Sequence, residues 1–201
     1  MTVLTNPSDD DLLRRTADGD EEAFASLYRR RQAGIYRFAL HMSGCPSVAE
    51  EVTQEVFMTL IRDTAQYDAA KGSLSAYMYG IARKHVLKSF DRNRPYVALE
   101  EDMDSTLIAN TDSPLGDLTR NESIEAVRQA ILTLPENYRE VVVLCELEEM
   151  SYAEASIALG IPIGTLRSRL SRGRALLVEK LKASAGVASG SVRIRSTGCF
   201  A

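Results

Sequence analysis

Tryptophan is absent from this chain of 201 residues, aromatic residues make up 6% of it, and there are two histidines and three cysteines. Cys45, Cys145 and Cys199 stand far apart without a Cys-x-x-Cys pair, which argues against a disulfide framework and against a zinc finger. No run approaches the roughly 18 uninterrupted apolar residues of a membrane helix, so no membrane insertion is expected. The opening MTVLTNPSDDDLL has neither the basic start nor the apolar stretch of a secretion signal, and a cytoplasmic protein is expected. Long β-branched runs are missing too. The single one, Val141-Val142-Val143, lies in YREVVVLCELEEM, where Tyr138, Val141, Val142 and Cys145 fit one helix face.

Catalytic constellations are equally scarce. His41 and Cys45 have no further ligands at metal spacing. The acids at 9–11, 50–51 and 100–102 read as a helix start, a polar helix face and a linker. Neither enzymatic activity, nor a metal, nor a cofactor is expected.

What is present is an uneven distribution of charge. With 24 Lys+Arg and 28 Asp+Glu the net charge is −4. Yet residues 83–94 (RKHVLKSFDRNR) carry five basic groups and one acidic, and residues 164–182 (GTLRSRLSRGRALLVEKLK) carry six and one. Residues 95–119 between them hold six acids and no Lys or Arg. Binding to phosphate is driven by local release of counterions, so a mildly acidic protein can bind nucleic acid through two such windows.

Apolar residues recur at three and four from Asp9 to Phe90: Leu12, Leu13, Phe24, Leu27, Ile35, Phe38, Val52, Val56, Leu60, Leu74, Met78, Ile81. Breaks at Gly44-Cys45-Pro46 and Gly72-Ser73 divide this stretch into about four helices, with Ser73 or Ser75 as a cap. Residues 95–120 read as an acidic flexible linker. A second helical block runs over 121–185, and 186–201 read as a disordered tail. The fold expected is all-α: two small helical domains, over 10–94 and 121–185, the second ending in a helix-turn-helix.

The sharpest local pattern lies in that second block. Ser151-Tyr152-Ala153-Glu154 is a capping box, Gly160 can stop the helix it opens, and Ile161-Pro162 turns the chain into a second helix. On that second helix Leu166, Leu170, Gly173 and Leu177 share the inner face. Arg167, Ser168, Ser171 and Arg174 fall on an outer flank, with Arg169 and Arg172 beside them. The planar arginine fork donates two hydrogen bonds at once to a guanine edge or a phosphate.

SYAEASIALGIPIGTLRSRLSRGRALL resembles the promoter-binding helix-turn-helix of bacterial sigma-70 factors, especially the extracytoplasmic-function (ECF) group with its G-T-V-x-S-R-L-x-R-A-R signature. LPENYREVVVLCELEEMS is similar to the segment that precedes it in that family. In the first block, AEEVTQEVFMTLI resembles the family's D-A-E-D-L-x-Q-E-x-F helix, and GSLSAYMYGIARKHVLKSFDRNR its G-S-F-x-x-W-L-x-x-I-A-R-N segment. The resemblance implies a factor that binds core RNA polymerase, recognises the minus-10 and minus-35 elements of promoter DNA, and is held by an anti-sigma factor. By the same resemblance, 10–94 corresponds to sigma region 2 and 121–185 to region 4.

Carried over residue by residue, the minus-35 contacts are Arg167, Ser168, Arg169, Ser171 and Arg172, with Thr165 near phosphate. Glu51, Gln54 and Glu55 face polymerase. The minus-10 element falls to the loop Tyr67–Ser73, including Lys71, and to Tyr77, Arg83, Lys84, Lys88 and Arg92 on the following helix. Tyr77 could stack on a base, but at its helical spacing from Ile81 a tyrosine is more often core, and His85 reads as a surface residue. Lys84 stands in place of the usual Asn, and Tyr77 in place of Trp. Gly173 stands in place of Ala, at a cost of about 1 kcal/mol in helix propensity. Ala155 and Ile157 look out of phase with the apolar positions of the supporting helix.

The 25-residue acidic stretch can reach about 85 Å, enough to span roughly 70 Å of duplex between the two elements when extended. The alternative is a stand-alone helix-turn-helix regulator that needs no polymerase. It leaves the first block without a role.

Overall fold

The computed structural model describes residues 7–93 and 118–190. Among these residues the chain forms helices and no strands. The first block has four helices: α1 (Asp9–Ala17), α2 (Glu21–Ser43), α3 (Pro46–Arg62) and α4 (Leu74–Asn93). Their ends follow from local chemistry. The Ser8 hydroxyl accepts from the Asp11 amide at 3.1 Å, and Asp9, Asp10 and Asp11 place negative charge on the first turn of α1. Asp20 caps α2 through the Ala23 amide, and Gly44 ends it in the left-handed conformation at φ 70°. Pro46 then opens α3, where its missing N–H is no loss. Ser73 caps α4 by accepting from the Ala76 amide at 3.2 Å.

The second block comprises α5 (Leu118–Leu132), α6 (Glu136–Val142), α7 (Tyr152–Leu159) and α8 (Ile163–Gly190). The valine run is helical, as its face pattern suggests, but over Val143–Leu147 the helix widens into a π turn. Both halves of the Ser151–Glu154 capping box form, and Gly160 is left-handed at φ 65°. Helix α5 starts three residues before the expected boundary. Helix α8 continues through 186–190, the first part of the expected tail, across Gly186. The acidic linker over 95–117 and the tail residues 191–201, with Cys199, lie outside the described residues.

The two blocks do not stand apart. Buried side chains of α1–α4 (Leu12, Leu27, Phe38, Met42, Val56, Leu60, Met78) and of the second block (Ile131, Leu134, Val141, Leu144, Leu166, Leu170) belong to one apolar cluster. Arg139 ties the blocks further: its guanidinium donates to the carbonyls of Met42, Leu132 and Leu134. Met42 and Leu132 lie at helix ends, where carbonyls have no partner within their own helix, and Leu134 lies in the turn between α5 and α6.

Several sequence expectations change here. Ala155 is fully buried and packs normally, whereas Ile157 is 48% exposed because it reaches toward the first block instead of the core. His85 is half-buried, not a surface residue. Gly173 is no simple propensity defect: a Cβ there would meet Val142 Cγ2 at 2.8 Å and the Tyr138 carbonyl at 3.4 Å. Glycine lets α8 approach α6. Gly173→Ala is therefore expected to lower the urea midpoint despite alanine's better propensity, by about 1–3 kcal/mol of overpacking. Glu149 is the non-glycine residue with positive φ among the described residues, at 53°. Glu149→Gly is expected to raise the same midpoint by up to about 1 kcal/mol.

Candidate nucleic-acid interface

The loop between α3 and α4 is built by short-range polar contacts. Asp68 accepts from the Ala70 amide at 3.0 Å, and the Lys71 amide bonds the Asp68 carbonyl at 2.9 Å. The Tyr67 hydroxyl donates to Asp10 Oδ1 at 2.7 Å and lies 3.2 Å from the Gly72 carbonyl oxygen. Burial, with Asp10 beside it, raises the Tyr67 pKa, so the phenol remains a donor. This loop and α4 enclose a cavity of about 610 Å³ whose lining includes Arg62, Lys71, Tyr77, Lys84, His85 and Lys88. The Tyr77 ring packs on Tyr67 at 5.5 Å between centroids, with 45° between the planes. An aromatic pair rimmed by cations suits an unstacked base and its phosphates.

The structure thus brings together Lys71, Tyr77, Lys84 and Lys88 from the sequence expectation. Arg62 joins them at the end of α3, outside the basic windows that drew attention in the sequence. Two others stand elsewhere. Arg83 turns from the cavity to Glu140 of α6 at 2.6 Å, and Arg92 pairs with Glu51 of α3 at 2.7 Å.

On α8, Arg167, Ser168, Ser171 and Arg172 are exposed, while Leu166 and Leu170 are buried. Thr165 is half-buried, and its carbonyl accepts from the Ser168 hydroxyl at 2.9 Å. Arg169 is the exception on the recognition face, because it lies 3.3 Å from Glu140. Arg174 is held by Glu146 at 2.6 Å. Ser156 stabilises the turn between α7 and α8 by donating to the Ile161 carbonyl at 2.5 Å.

A third surface lies on α3. Glu51, Gln54 and Glu55 are exposed along one flank, and the same stripe continues into Met58 and Ile61, exposed by 60% and 48%. Those two apolar residues escape a reading of charge and periodicity alone, since an outward apolar residue has no sequence signature that separates it from core.

The two blocks coincide with two family matches: Sigma-70 region 2 over residues 27–95, and Sigma-70, region 4, over residues 124–177. The chain belongs to the sigma-70 family, in the ECF group. The ECF RNA polymerase sigma factor SigW of Bacillus subtilis is 28% identical over 178 residues, covering 85% of this chain and 95% of SigW. SigE of Mycolicibacterium smegmatis is 34% identical over 172 residues, 82% of this chain and 65% of its own. Among solved structures, CnrH in complex with the cytosolic domain of CnrY matches with a TM-score of 0.67 at 21% identity, over 87% of this chain and 97% of that one. The sigma factor RpoE of Bartonella quintana, in complex with the anti-sigma factor NepR, matches at 0.60 and 23%, over 79% and 96%. These likenesses show the fold. As an ECF sigma factor, the chain is a promoter-directing transcription initiation factor. No described helix is long and apolar enough to cross a membrane.

His85, in the cavity wall, has its pKa lowered from 6.5, first by burial and further by Lys88 and Lys84, against the opposing pull of Glu55 and Glu51. A depressed histidine binds its proton more readily in the unfolded chain. Its contribution to stability is complete above 6.5 and is lost as pH falls from there toward the folded value. Urea midpoints are expected to decline on acidification below that point, and less steeply for His85→Gln; an unchanged slope in the variant would contradict this.

Proposed function

We propose that the chain binds core RNA polymerase through the α3 stripe of Glu51, Gln54 and Glu55, extended by Met58 and Ile61. The minus-10 element is read in the cavity between the 67–73 loop and α4, and the minus-35 element by the exposed face of α8. The observation that carries this reading is the cation-rimmed cavity with its Tyr67–Tyr77 pair, on the same chain as a helix-turn-helix with an exposed arginine face. A helix-turn-helix regulator acting alone would need neither that cavity nor the α3 stripe.

In this reading residues 10–94 bind polymerase and the minus-10 element, 121–185 bind the minus-35 element, and the acidic stretch 95–120 tethers them. Lys71, Lys84, Lys88 and Arg62 attract the phosphates of the opened strand, and Tyr77 offers a stacking face. Arg167 and Arg172, with Ser168 and Ser171, reach base edges in the major groove, and Thr165 approaches phosphate. Arg83, Arg92 and Arg169 join these contacts once their carboxylate partners let go. The factor works in the cytoplasm with polymerase, and an anti-sigma factor is its expected regulator; the anti-sigma factor NepR bound in the RpoE structure supports that part.

The direct test is transcription in vitro with core polymerase on fragmented DNA of the source genome, sequencing the RNA 5′ ends. New start sites that share two upstream elements are expected when the protein is added. No new starts, together with no binding to core, would refute the proposal. On a promoter so found, Arg172→Ala is expected to reduce discrimination at one minus-35 position by about 1–3 kcal/mol. Lys88→Ala should instead weaken binding across promoters and lower the salt slope by about one. A pre-melted template should restore activity to Lys88→Ala and not to Arg172→Ala.

A further inference from the structure

We propose that Asp10, at the start of α1, is a positioning residue for the minus-10 element, acting through the Tyr67 hydroxyl on the loop 67–73. This rests on the assignment of the cavity to that element. Within the loop Asp68, Ala69, Ala70 and Lys71 are all exposed. The bonds from the Ala70 and Lys71 amides to Asp68 give the turn its shape but do not fix its place on the protein. Tyr67 supplies that place. Its half-buried ring packs on Tyr77 of α4, and its hydroxyl donates to Asp10 Oδ1, 57 positions away, at 2.7 Å.

The phenol has one proton and two acceptors within reach. The Gly72 carbonyl, at the other end of the loop, lies 3.2 Å away, and the Asp10 carboxylate at 2.7 Å is both nearer and charged. The charged acceptor makes the stronger bond, so the loop is tied outward to α1 instead of closing on itself. The anchor is rigid. Asp9, beside Asp10, is 11% exposed and accepts from Arg30 of α2 at 2.7 Å and from Arg31. Arg30 also donates to the Pro7 carbonyl at 3.0 Å, and Leu12 and Leu13, on the same helix, are buried. Arg31 further lies 3.5 Å from the Ser75 hydroxyl in the first turn of α4. The first turn of α1 is thus pinned to α2 and to the start of α4, and Asp10 ties the loop to the same frame.

A loop held in one position presents Lys71 and the Tyr67–Tyr77 pair without an ordering cost when a base arrives. Released from Asp10, it occupies that position for part of the time, and recognition weakens by that fraction. Charge alone gives the opposite expectation. Asp10 is a carboxylate bonded to a residue of a cation-rich cavity wall, so its removal raises the attraction for any DNA. Selectivity and affinity therefore separate the two effects.

The test uses the full-length chain with core polymerase on a promoter identified by its RNA 5′ ends, and on copies changed at one minus-10 or one minus-35 position. Asp10→Ala and Tyr67→Phe are each expected to lose about tenfold of minus-10 selectivity, the effect of one hydrogen bond to a charged group. Minus-35 selectivity should stay at the wild-type level. The double variant should lose no more than either single one, because both remove the same bond. Asp10→Asn keeps an acceptor and should recover part of the selectivity lost in Asp10→Ala. Affinity for an unrelated duplex should rise in Asp10→Ala and not in Tyr67→Phe, which leaves the charge in place. Wild-type minus-10 selectivity in both single variants, an equal loss at both elements, or losses that multiply in the double variant would each overturn the proposal. Amide hydrogen exchange of the free chain needs no promoter: exchange at Ala70 and Lys71 should quicken in both single variants, with α2 and α3 unchanged. If the wild type directs no transcription, the functional assignment fails instead, and unchanged exchange at those two amides would show that Asp10 does not hold the loop.

Discussion

Among the described residues Glu140 is the one carboxylate residue buried as a whole, at 1% exposure, and three parts of the molecule converge on it. It projects from α6, meets Arg83 of α4 on one side and Arg169 of α8 on the other. Burial pushes its pKa up, and the two guanidiniums oppose that push by favouring the charged form. A buried carboxylate left with neither cation would be strongly unfavourable. The position of the helix-turn-helix relative to the first block therefore depends on both arginines being present. Arg139 plays the complementary part with backbone acceptors, closing helix-end carbonyls of α2 and α5 that would otherwise lie unpaired in the contact.

Much of the local architecture was legible because short-range chemistry determines it. The Ser151–Glu154 capping box, the stop at Gly160, the turn at Pro46 and the inward stripe of Leu166 and Leu170 are each properties of neighbouring residues. The cationic windows pointed to Lys84, Lys88, Arg167 and Arg172, and all four are exposed. Illegible were contacts between residues distant in sequence. Arg37 and Glu148 are 111 positions apart, and nothing in either segment announces the other. For the same reason Arg83 and Arg169 read as free cations, although each has a partner, and Gly173 read as a defect when it is a point of close approach. That the two helical domains pack on each other was not legible either: the acidic stretch 95–119 reads as a tether, but a tether says nothing about whether its ends touch.

Two arginines proposed to read DNA, Arg83 and Arg169, are both held by Glu140. Sites for single-stranded DNA must be open and cationic, which makes them self-repelling and attractive to any carboxylate. Within the chain, Glu140 of the second block meets Arg83, a cation assigned to the minus-10 element. A competitor that opens the molecule has to replace these contacts with its own, and only a ligand that favours the open form can shift the balance. In the proposed reading promoter DNA on polymerase meets that condition, because it would engage both blocks at a fixed spacing.

The most direct test of this account is a distance measurement between the blocks, with spin labels at Ala33 on α2 and at Glu149, the residues flanking the Arg37–Glu148 contact, in the free chain and in the polymerase–promoter complex. The account predicts one short distance in the free chain and a separation of several tens of ångströms in the complex. The same short distance in both states would contradict it.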